Sequence, residues 1–300
     1  MSSFLEKMEE DDFVRISAQA EAWADLFKLP LGKRTWRGMS GDFQGSGVGS
    51  SLDFQDHRSY VPGDDPRHIN WQAFARSGQY TMKLYREEVR PMIDVIFDVS
   101  DSMFFDEAKR QRSLETIYFV IHAVLKSGAS GKFFLSKGSE HSFLRDEAIH
   151  THAWIDQAID LPEAPSSEAP RIANIPVRAQ AMRIFVSDLL FLGGIEVVLQ
   201  SLVSRKGFGT IFAPFTALEA RPEWSGNYEF VDAEDGSRHP HRVQLNLLER
   251  YRKAYDRHFA QWKDLGHKYD VGIVRLPAEP DFSAALRWEG VAGGAIELWN

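Results

Sequence analysis

Short apolar runs alternate with helical patterns through most of the chain after residue 91, and this alternation limits the possible folds more than any other feature. The runs at 182–186 and 210–215 suit buried strands, because they are apolar but too short for helices. Between the runs, apolar residues recur at spacings of three and four, as in helices that pack on a sheet. The succession predicts an α/β fold with a mostly parallel sheet and helices on both faces.

The predicted elements follow from these two periodicities. Strands are predicted at 80–86, 92–98, 131–136, 141–145, 182–186, 210–215 and 271–276. Helices are predicted at 12–28, 106–126, 147–160, 195–206, 243–267 and 281–288, and a β-hairpin insertion is predicted at 219–241. The main domain is therefore expected at 91–300.

Residues 1–90 are predicted to form a helix and an extension that pack on the main domain. The Gly/Ser-rich passage at 38–54 is interpreted as a loop, because it lacks the flanking strand and helix of a phosphate-binding loop. The strand at 80–86 alternates only loosely and is predicted to lie at a sheet edge.

A polar segment at 56–78 precedes the main domain. Its charged and aromatic residues include Arg58, Tyr60, Asp64, Asp65, Arg67, Trp71 and Arg76. An acid catalyst needs a raised pKa, whereas three nearby arginines hold carboxylates ionised. We interpret the segment as a structural brace with Tyr60 and Trp71 as its apolar anchors.

Oxygen-bearing side chains follow the central predicted strand. The stretch Ile93–Met103 reads IDVIFDVSDSM, which places Asp98, Ser100 and Ser102 at alternate positions. A carboxylate and two hydroxyls in one loop suit a hard cation such as Mg²⁺. An ordinary turn is the alternative, because Asp and Ser are common turn residues. Asp188 also follows a predicted buried strand, and parallel sheets bind ligands at the carboxyl ends of their strands.

Charge and composition exclude several classes of protein. The net charge is −8 and no long basic run occurs, so a nucleic-acid partner is not expected. The chain has no cysteine, which excludes disulfides and thiolate metal sites. No apolar stretch reaches the length of a membrane span, and residues 1–12 lack the pattern of a signal peptide. A cytoplasmic location is expected.

Sequence signatures of catalysis are missing. The chain carries no Gly-x-Ser-x-Gly elbow, no nucleotide-binding glycine motif and no recognisable pairing of a nucleophile with a base. The sequence therefore predicts a binding module that is not itself an enzyme.

Several motifs resemble those of one bacterial family. They are RSYVPGDDPRHINW at Arg58–Trp71, ARSG at Ala75–Gly78, the pair Glu87 and Glu88, DVSDSM at Asp98–Met103 and DAEDG at Asp232–Gly236. Over roughly residues 45–290 the chain resembles the domain-of-unknown-function 58 family. The resemblance implies a von Willebrand factor A-like domain, a doubly wound sheet of the Rossmann type. It also implies a partnership with a MoxR-type AAA+ ATPase in the maturation or remodelling of other proteins.

The resemblance also implies a metal-ion-dependent adhesion site for Mg²⁺, with Mn²⁺ or Ca²⁺ as alternatives. Asp98, Ser100 and Ser102 match its first loop, and Asp188 matches the aspartate of its third loop. The threonine of the second loop has no match. That loop is expected at 161–176, where Ser166 and Ser167 are the hydroxyl residues.

Three functions are compatible with these residues. In the first, a bound Mg²⁺ keeps an exchangeable position that an acidic residue of a partner protein fills. In the second, the metal acts as a Lewis acid in a hydrolase, with Asp188 or Asp64 in acid–base work. In the third, an A-like domain with a degenerate metal site is purely structural.

Overall fold

The structure, a computed structural model, describes residues 5, 8–33, 39–48, 54–162, 169–191, 193–233, 236–279 and 281–299. The side chains of 33, 39–48, 54–57, 68 and 83–89 lie outside this description. Ser166 and Ser167 lie outside the described residues altogether, as does part of the hairpin turn predicted near residue 235.

Nine helices and thirteen strands are found in the described ranges. The helices are α1 (Glu10–Ala24), α2 (Trp71–Ser77), α3 (Glu107–Lys126), α4 (Asp146–His150), α5 (Trp154–Ile159), α6 (Ile195–Val203), α7 (Ala217–Ala220), α8 (Leu245–Tyr269) and α9 (Phe282–Ala285). The strands are β1 (Phe27–Lys28), β2 (Met39–Val48), β3 (Phe54–Ser59), β4 (Thr81–Arg90), β5 (Met92–Asp98), β6 (Ser130–Lys137), β7 (Glu140–Leu144), β8 (Met182–Val186), β9 (Phe208–Phe215), β10 (Gly226–Val231), β11 (Arg238–Val243), β12 (Val271–Pro277) and β13 (Glu297–Leu298). None of the helices in these ranges combines the length and apolarity that crossing a bilayer requires.

Two compact units divide the chain, one of Met1–Pro30 with Ile93–Asn300 and the other of Leu31–Met92. This division differs from the boundary predicted at residue 90, because α1 belongs to the larger unit. Helix α1 packs on α3, and the Ser17 hydroxyl lies 3.0 Å from Nε2 of His122. An amphipathic helix is stable only where its apolar face is covered, and α3 covers it here.

A six-stranded sheet in the order β12-β9-β8-β5-β6-β7 forms the centre of the larger unit. Strands β12, β9, β8 and β5 pair in parallel, and β7 runs antiparallel to β6. The predicted α/β fold with a mostly parallel sheet is therefore confirmed. The chain continues from β5 to β6 and β7 on one side and returns to β8 on the other, so the strand order reverses at β5.

Strand β5 is buried along all of its length except Met92. Consecutive strand residues point to opposite faces, and Val95, Ile96 and Phe97 are all fully buried. Ile96 belongs to a cluster that includes side chains of α6 and α8, while Phe97 stacks on Phe133. Both faces of the strand are covered, which explains its continuous apolar sequence.

Residues near the two ends of the sequence meet in the larger unit. Strand β1 pairs with β13 in an antiparallel ladder that places Phe27 opposite Leu298. The indole of Trp299 donates a hydrogen bond to the carbonyl of Ala24 at 3.1 Å, and Lys28 lies over its ring. These contacts hold the end of α1 against residues 297–299.

The smaller unit contains the antiparallel sheet β2-β4-β3. The interpretation of 38–54 as a loop was wrong for Met39–Val48, which form β2. Glycine and serine show no apolar alternation, and this strand is defined by backbone pairing with β4 instead. The edge position predicted for residues 80–86 was also wrong, since β4 lies between the other two strands.

Ion pairs of the predicted brace are present in the smaller unit. The Arg58 guanidinium donates to both oxygens of Asp64, at 2.7 and 2.6 Å, and these hydrogen bonds lower the pKa of Asp64. Arg67 donates from Nε and Nη2 to one oxygen of Asp65, at 2.9 and 2.7 Å, and from Nε to the other oxygen at 3.1 Å. Trp71 is 58% exposed, so it is not the apolar anchor that the sequence predicted.

Two predicted helices are interrupted. Residues 147–160 form α4 and α5, which are separated at His152, where φ is +59°. The helix predicted at 281–288 ends as α9 at Ala285 and continues as a π-helical segment, Leu286–Val291. The hairpin insertion is confirmed as β10 and β11.

The histidine between α1 and α3 should make stability depend on pH. Burial lowers the pKa of His122, Glu21 opposes this shift and Lys126 adds to it. His122 therefore binds a proton more readily in the unfolded chain than in the folded one. It contributes stability that is present above about pH 6.5 and is lost below it. Between about pH 7.5 and 5.5, the free energy of unfolding in urea should fall more for the wild type than for His122→Gln. Equal falls would contradict this role.

Candidate functional site

The loop after β5 is organised around the carboxylate of Asp98. One oxygen accepts a hydrogen bond from the backbone N–H of Ser100 at 3.1 Å, which fixes the turn. The other accepts from the hydroxyl of Ser187 at 2.6 Å. The hydroxyls of Ser100 and Ser102 lie 3.2 Å apart. Asp98 and both serines therefore occupy one short turn at the carboxyl end of β5.

Met103 connects this loop to its surroundings. Its sulfur accepts a hydrogen bond from the backbone N–H of Asp188 at 3.1 Å, and its carbonyl accepts from the hydroxyl of Ser113 in α3. Lys137 at the end of β6 lies 3.4 Å from the carboxylate of Asp101. These contacts, with the full burial of Met103, hold the loop between β6, β8 and α3.

Asp188 stands just beyond the end of β8, next to β5 in the sheet. One of its carboxylate oxygens accepts a hydrogen bond from the N–H of Leu190 at 3.0 Å. The other accepts from Nζ of Lys109 at 2.7 Å. Leu189, which lies between Asp188 and Leu190, has a φ of +62° and turns the chain sharply at this point.

The Lys109 ammonium is fully buried and binds two carboxylates. Besides Asp188 it forms a short ion pair with Glu219, the third residue of α7. Glu219 is itself held by a capping box, in which its second oxygen accepts from the N–H of Thr216 at 2.7 Å. Lys109 lies in the first turn of α3, so one side chain joins α3 to the residues that follow β8 and β9.

The site carries more negative than positive charge. Burial, and secondly repulsion by Asp188, raise the pKa of Asp98 to about 7, although hydrogen bonds from Ser187 and Ser100 oppose the shift. Burial also raises the pKa of Glu219, against the attraction of Lys109. Burial alone would lower the pKa of Lys109, but Asp188 and Glu219 outweigh it and raise that pKa. Asp188 and Glu219 thus share the ammonium of Lys109, whereas the hydrogen-bond donors to Asp98 are Ser187 and Ser100.

The donors at this site match the preference of a hard cation. Asp98 and Asp188 offer carboxylate oxygens, and Ser100 and Ser102 offer hydroxyls. Adjacent ligands of an octahedral Mg²⁺ are about 2.9 Å apart, which is close to the 3.2 Å between the two hydroxyls. Within the described residues no cluster of three or more His, Asp or Glu side chains is placed to hold a metal, so the hydroxyls are needed to complete a site.

The structure brings the four residues predicted from the sequence to the ends of two neighbouring strands. It adds Lys109, Ser187, Thr216 and Glu219, which the sequence reasoning missed. Two sequence patterns could have identified these residues. Lys109 precedes buried Ser113 and Ile117 by four and eight residues, which places it on the buried face of α3. Thr216 and Glu219 have the three-residue spacing of a capping box. Asp64, considered for acid–base work, belongs to the smaller unit and binds Arg58 there.

Comparisons with known proteins place this geometry in context. A family model described as Protein of unknown function DUF58 matches residues 56–263, which confirms the predicted resemblance. No curated protein matches the sequence.

Two solved structures are similar at low identity. An aerotolerance-related membrane protein from Bacteroides fragilis, carrying multiple mutations to serines, is 11% identical with a TM-score of 0.32, over 60% of this chain and 98% of its own. The conserved hypothetical protein BatB from Bacteroides thetaiotaomicron is 13% identical with a TM-score of 0.37, over 68% and 98%. TM-scores below 0.5 do not establish a shared fold.

Removing the buried ammonium should strongly destabilise the larger unit. In Lys109→Met, Asp188 and Glu219 lose their counter-charge while they stay buried, and breaking such a pair costs about 3–5 kcal/mol. Urea unfolding should show this loss, whereas the matched Lys253→Met on the exposed side of α8 should change the free energy of unfolding by no more than about 0.5 kcal/mol. A loss below about 1 kcal/mol in Lys109→Met would contradict the structural role of the ion pairs.

Proposed function

The chain belongs to the DUF58 family, and from this premise we propose that it is a protein-binding module with a von Willebrand factor A-like, doubly wound domain. In this proposal a Mg²⁺ at a metal-ion-dependent adhesion-type site grips an acidic group of a partner protein. The module acts in the cytoplasm with a MoxR-type AAA+ ATPase, in the maturation or remodelling of other proteins.

One observation supports this function most directly. Asp98, Ser100 and Ser102 at the end of β5 and Asp188 beyond the end of β8 lie where the strand order reverses. Open α/β sheets bind ligands outside the carboxyl ends of their strands at such a point. The excess of buried carboxylates over ammonium groups favours a cation at the same place.

Different residues of the site would offer Mg²⁺ different kinds of ligand. Ser100 and Ser102 would offer neutral oxygens, and Asp98 and Asp188 would offer negative charge that their hydrogen bonds to Ser187 and Leu190 hold in place. A bound Mg²⁺ would supply a positive centre with an exchangeable position for a carboxylate from outside. The module would thus recognise a partner without chemical change. The AAA+ ATPase enters this proposal through the resemblance of the sequence motifs alone.

A second candidate is a structural domain whose site binds no metal. The observation in its favour is the ammonium of Lys109, which already supplies a positive charge to Asp188 and Glu219. In that case the loop of Asp98 has only a structural role at the end of β5, and the ammonium of Lys109 supplies the positive charge that a metal would otherwise supply.

Calorimetric titration with Mg²⁺ separates the two candidates. The binding module should release or absorb heat and should melt at a higher temperature in Mg²⁺ than in EDTA, since a ligand bound only to the folded state stabilises it. Asp98→Ala should weaken Mg²⁺ binding at least about tenfold, because a carboxylate is lost from the ligand set. The matched Asp264→Ala, at an exposed position of α8, should bind as the wild type does. No heat and no stabilisation in the wild type would establish the structural candidate.

The partnership has its own test. Immobilised protein should retain a purified MoxR-type ATPase in Mg²⁺, and Asp98→Ala should retain much less under the same conditions. Comparison of variants in one buffer matters, because a chelator would also remove Mg²⁺ from the nucleotide of the ATPase. Equal retention by the wild type and Asp98→Ala would contradict a metal-dependent grip.

A further inference from the structure

A cavity of about 710 Å³ runs along strand β12, which ends the central sheet. The residues of β12 that line it are Val271, Gly272, Ile273 and Arg275. Helix α8 forms one wall of the cavity, and the segment 289–293 forms the opposite wall. We call this cavity the edge slot.

The two walls of the edge slot lie on opposite faces of the sheet. The guanidinium of Arg275 lies over the ring of Phe259 in α8 at 3.6 Å, so Arg275 points toward α8. A Cβ at Gly293 would lie 3.9 Å from the side chain of Val274, which therefore points toward the other wall. A cavity that reaches both faces must pass round an edge of the sheet, and the inner edge of β12 is paired with β9. The edge slot therefore lies beyond the outer edge of β12.

The outer edge of β12 is open to pairing. Within the described ranges β12 pairs with β9 alone. The outward N–H and C=O groups of an edge strand are a template for a further strand. Gly272 is exposed and has no side chain to cover the backbone beside it. The edge slot thus occupies the place that a seventh strand of the sheet would take.

Arg275 brings to the edge slot a positive charge that lacks a counter-ion. Its guanidinium packs over the rings of Phe215 and Phe259, and Nη2 donates a hydrogen bond to the hydroxyl of Tyr255. In the part of the chain that the structure describes, no carboxylate forms an ion pair with it and its Nε has no hydrogen-bond partner. Burial lowers the pKa of Arg275, although Tyr255 and Glu289 are among the groups that oppose this shift. A carboxylate from outside would therefore find an unsatisfied cation here.

The charges of the edge slot differ between its two walls. Lys263 and the side chain of Arg275 lie on the α8 side, and Glu289 lies on the other side. His267 and Asp270 line the far end, where α8 leads into β12. Because cations and carboxylates are both present, neither a purely acidic nor a purely basic ligand is complementary to the whole lining. A strand suits it better, since its successive side chains point to opposite faces and can carry opposite charges.

From the open strand edge and the opposite charges of the two walls, we propose that the edge slot binds an extended segment of a partner protein as a seventh strand. Main-chain hydrogen bonds to β12 hold the segment, as in other cases of strand addition. One side chain of the segment is a carboxylate that pairs with Arg275, and the basic side chain next to it faces Glu289.

The walls favour a separate segment over a second copy of this chain. Paired strands lie about 4.8 Å apart. A second copy would bring its own α8 and its own segment 289–293 to the same edge, and these would meet the walls of the first copy before the two β12 strands could pair. An extended segment without such walls can enter.

Fluorescence anisotropy with a labelled seven-residue peptide tests this inference on the full chain. The probe has a glutamate followed by a lysine at its centre, threonines elsewhere and blocked ends, so it is neutral. None of the four residues proposed to bind Mg²⁺ lines the edge slot, so binding in EDTA tests it independently of the metal. The probe should bind with a Kd below about 1 mM, and no binding at that concentration would overturn the site.

A methylated peptide shows whether the main chain carries the binding. N-methylation of the probe from its second to its sixth residue removes the backbone donors and keeps both charged side chains. Binding should weaken at least about tenfold, because the hydrogen bonds to β12 are lost. Equal binding of the methylated peptide would overturn strand addition.

A double-mutant cycle tests the contact with Arg275. Replacing the glutamate of the probe by glutamine should weaken binding to the wild type about tenfold, because a charge-assisted hydrogen bond is lost. Arg275→Met, which keeps an apolar side chain between the rings, should bind the two peptides equally. The matched Arg257→Met, at an exposed position of α8, should discriminate as the wild type does. Equal binding of both peptides to the wild type would overturn the pairing.

Variants of α8 locate the binding. Ala260 is exposed and lines the edge slot, so Ala260→Trp should narrow it and weaken binding of the probe at least about tenfold. The matched Ala254→Trp, at an exposed position of the same helix outside the lining, should bind as the wild type does. Melting curves show whether each variant is folded, and equal weakening by both would refute the location. Sedimentation of the free protein tests the other occupant, since a dimer that Ala260→Trp dissociates would assign the edge slot to a second copy and overturn the proposal.

Discussion

The buried ammonium of Lys109 sets the geometry at the carboxyl ends of the strands. Removing one charged group from water costs several kcal/mol, so Lys109 is tolerated only because Asp188 and Glu219 meet it in the interior. These partners follow β8 and β9, while Lys109 begins α3. The turns that follow β8 and β9 must therefore keep a fixed position relative to α3. The contacts of Met103 with Asp188 and Ser113 fix the loop of Asp98 relative to the same turn and helix.

The opposite end of β5 carries a buried charge that is balanced in a different way. Asp94 is fully buried and accepts hydrogen bonds from the backbone N–H of Arg178 at 2.6 Å and from its Nε at 2.7 Å. The same guanidinium also donates to the carbonyls of Ile93 and Ser130. Arg178 joins strand ends there, and the buried guanidinium of Arg183, which donates to backbone carbonyls, adds a second positive charge near Asp94. Buried positive charge therefore accompanies Asp94, whereas Asp98 accepts hydrogen bonds from Ser187 and from the backbone N–H of Ser100.

Sequence patterns predicted what depends on local periodicity. The buried runs before Asp98 and Asp188 placed both carboxylates correctly at strand ends, because an apolar strand must end where polar side chains begin. The partners of Lys109 lie 79 and 110 residues away along the chain, and no local pattern pairs them. Strand β2 was missed for a related reason, since its glycines and serines pair through backbone groups that the sequence does not display.

Pairing of β1 with β13 has a consequence for the order of folding. The larger unit contains residues that precede the smaller unit in the sequence and residues that follow it. Helix α1 packs on α3, whereas Phe27 of β1 pairs with Leu298. During synthesis the smaller unit is complete long before residues 297–299 emerge from the ribosome. Strand β1 therefore stays unpaired until residues 297–298 have been synthesised, although α1 can pack on α3 earlier, and closure of a loop of this length makes the larger unit the slower of the two to form.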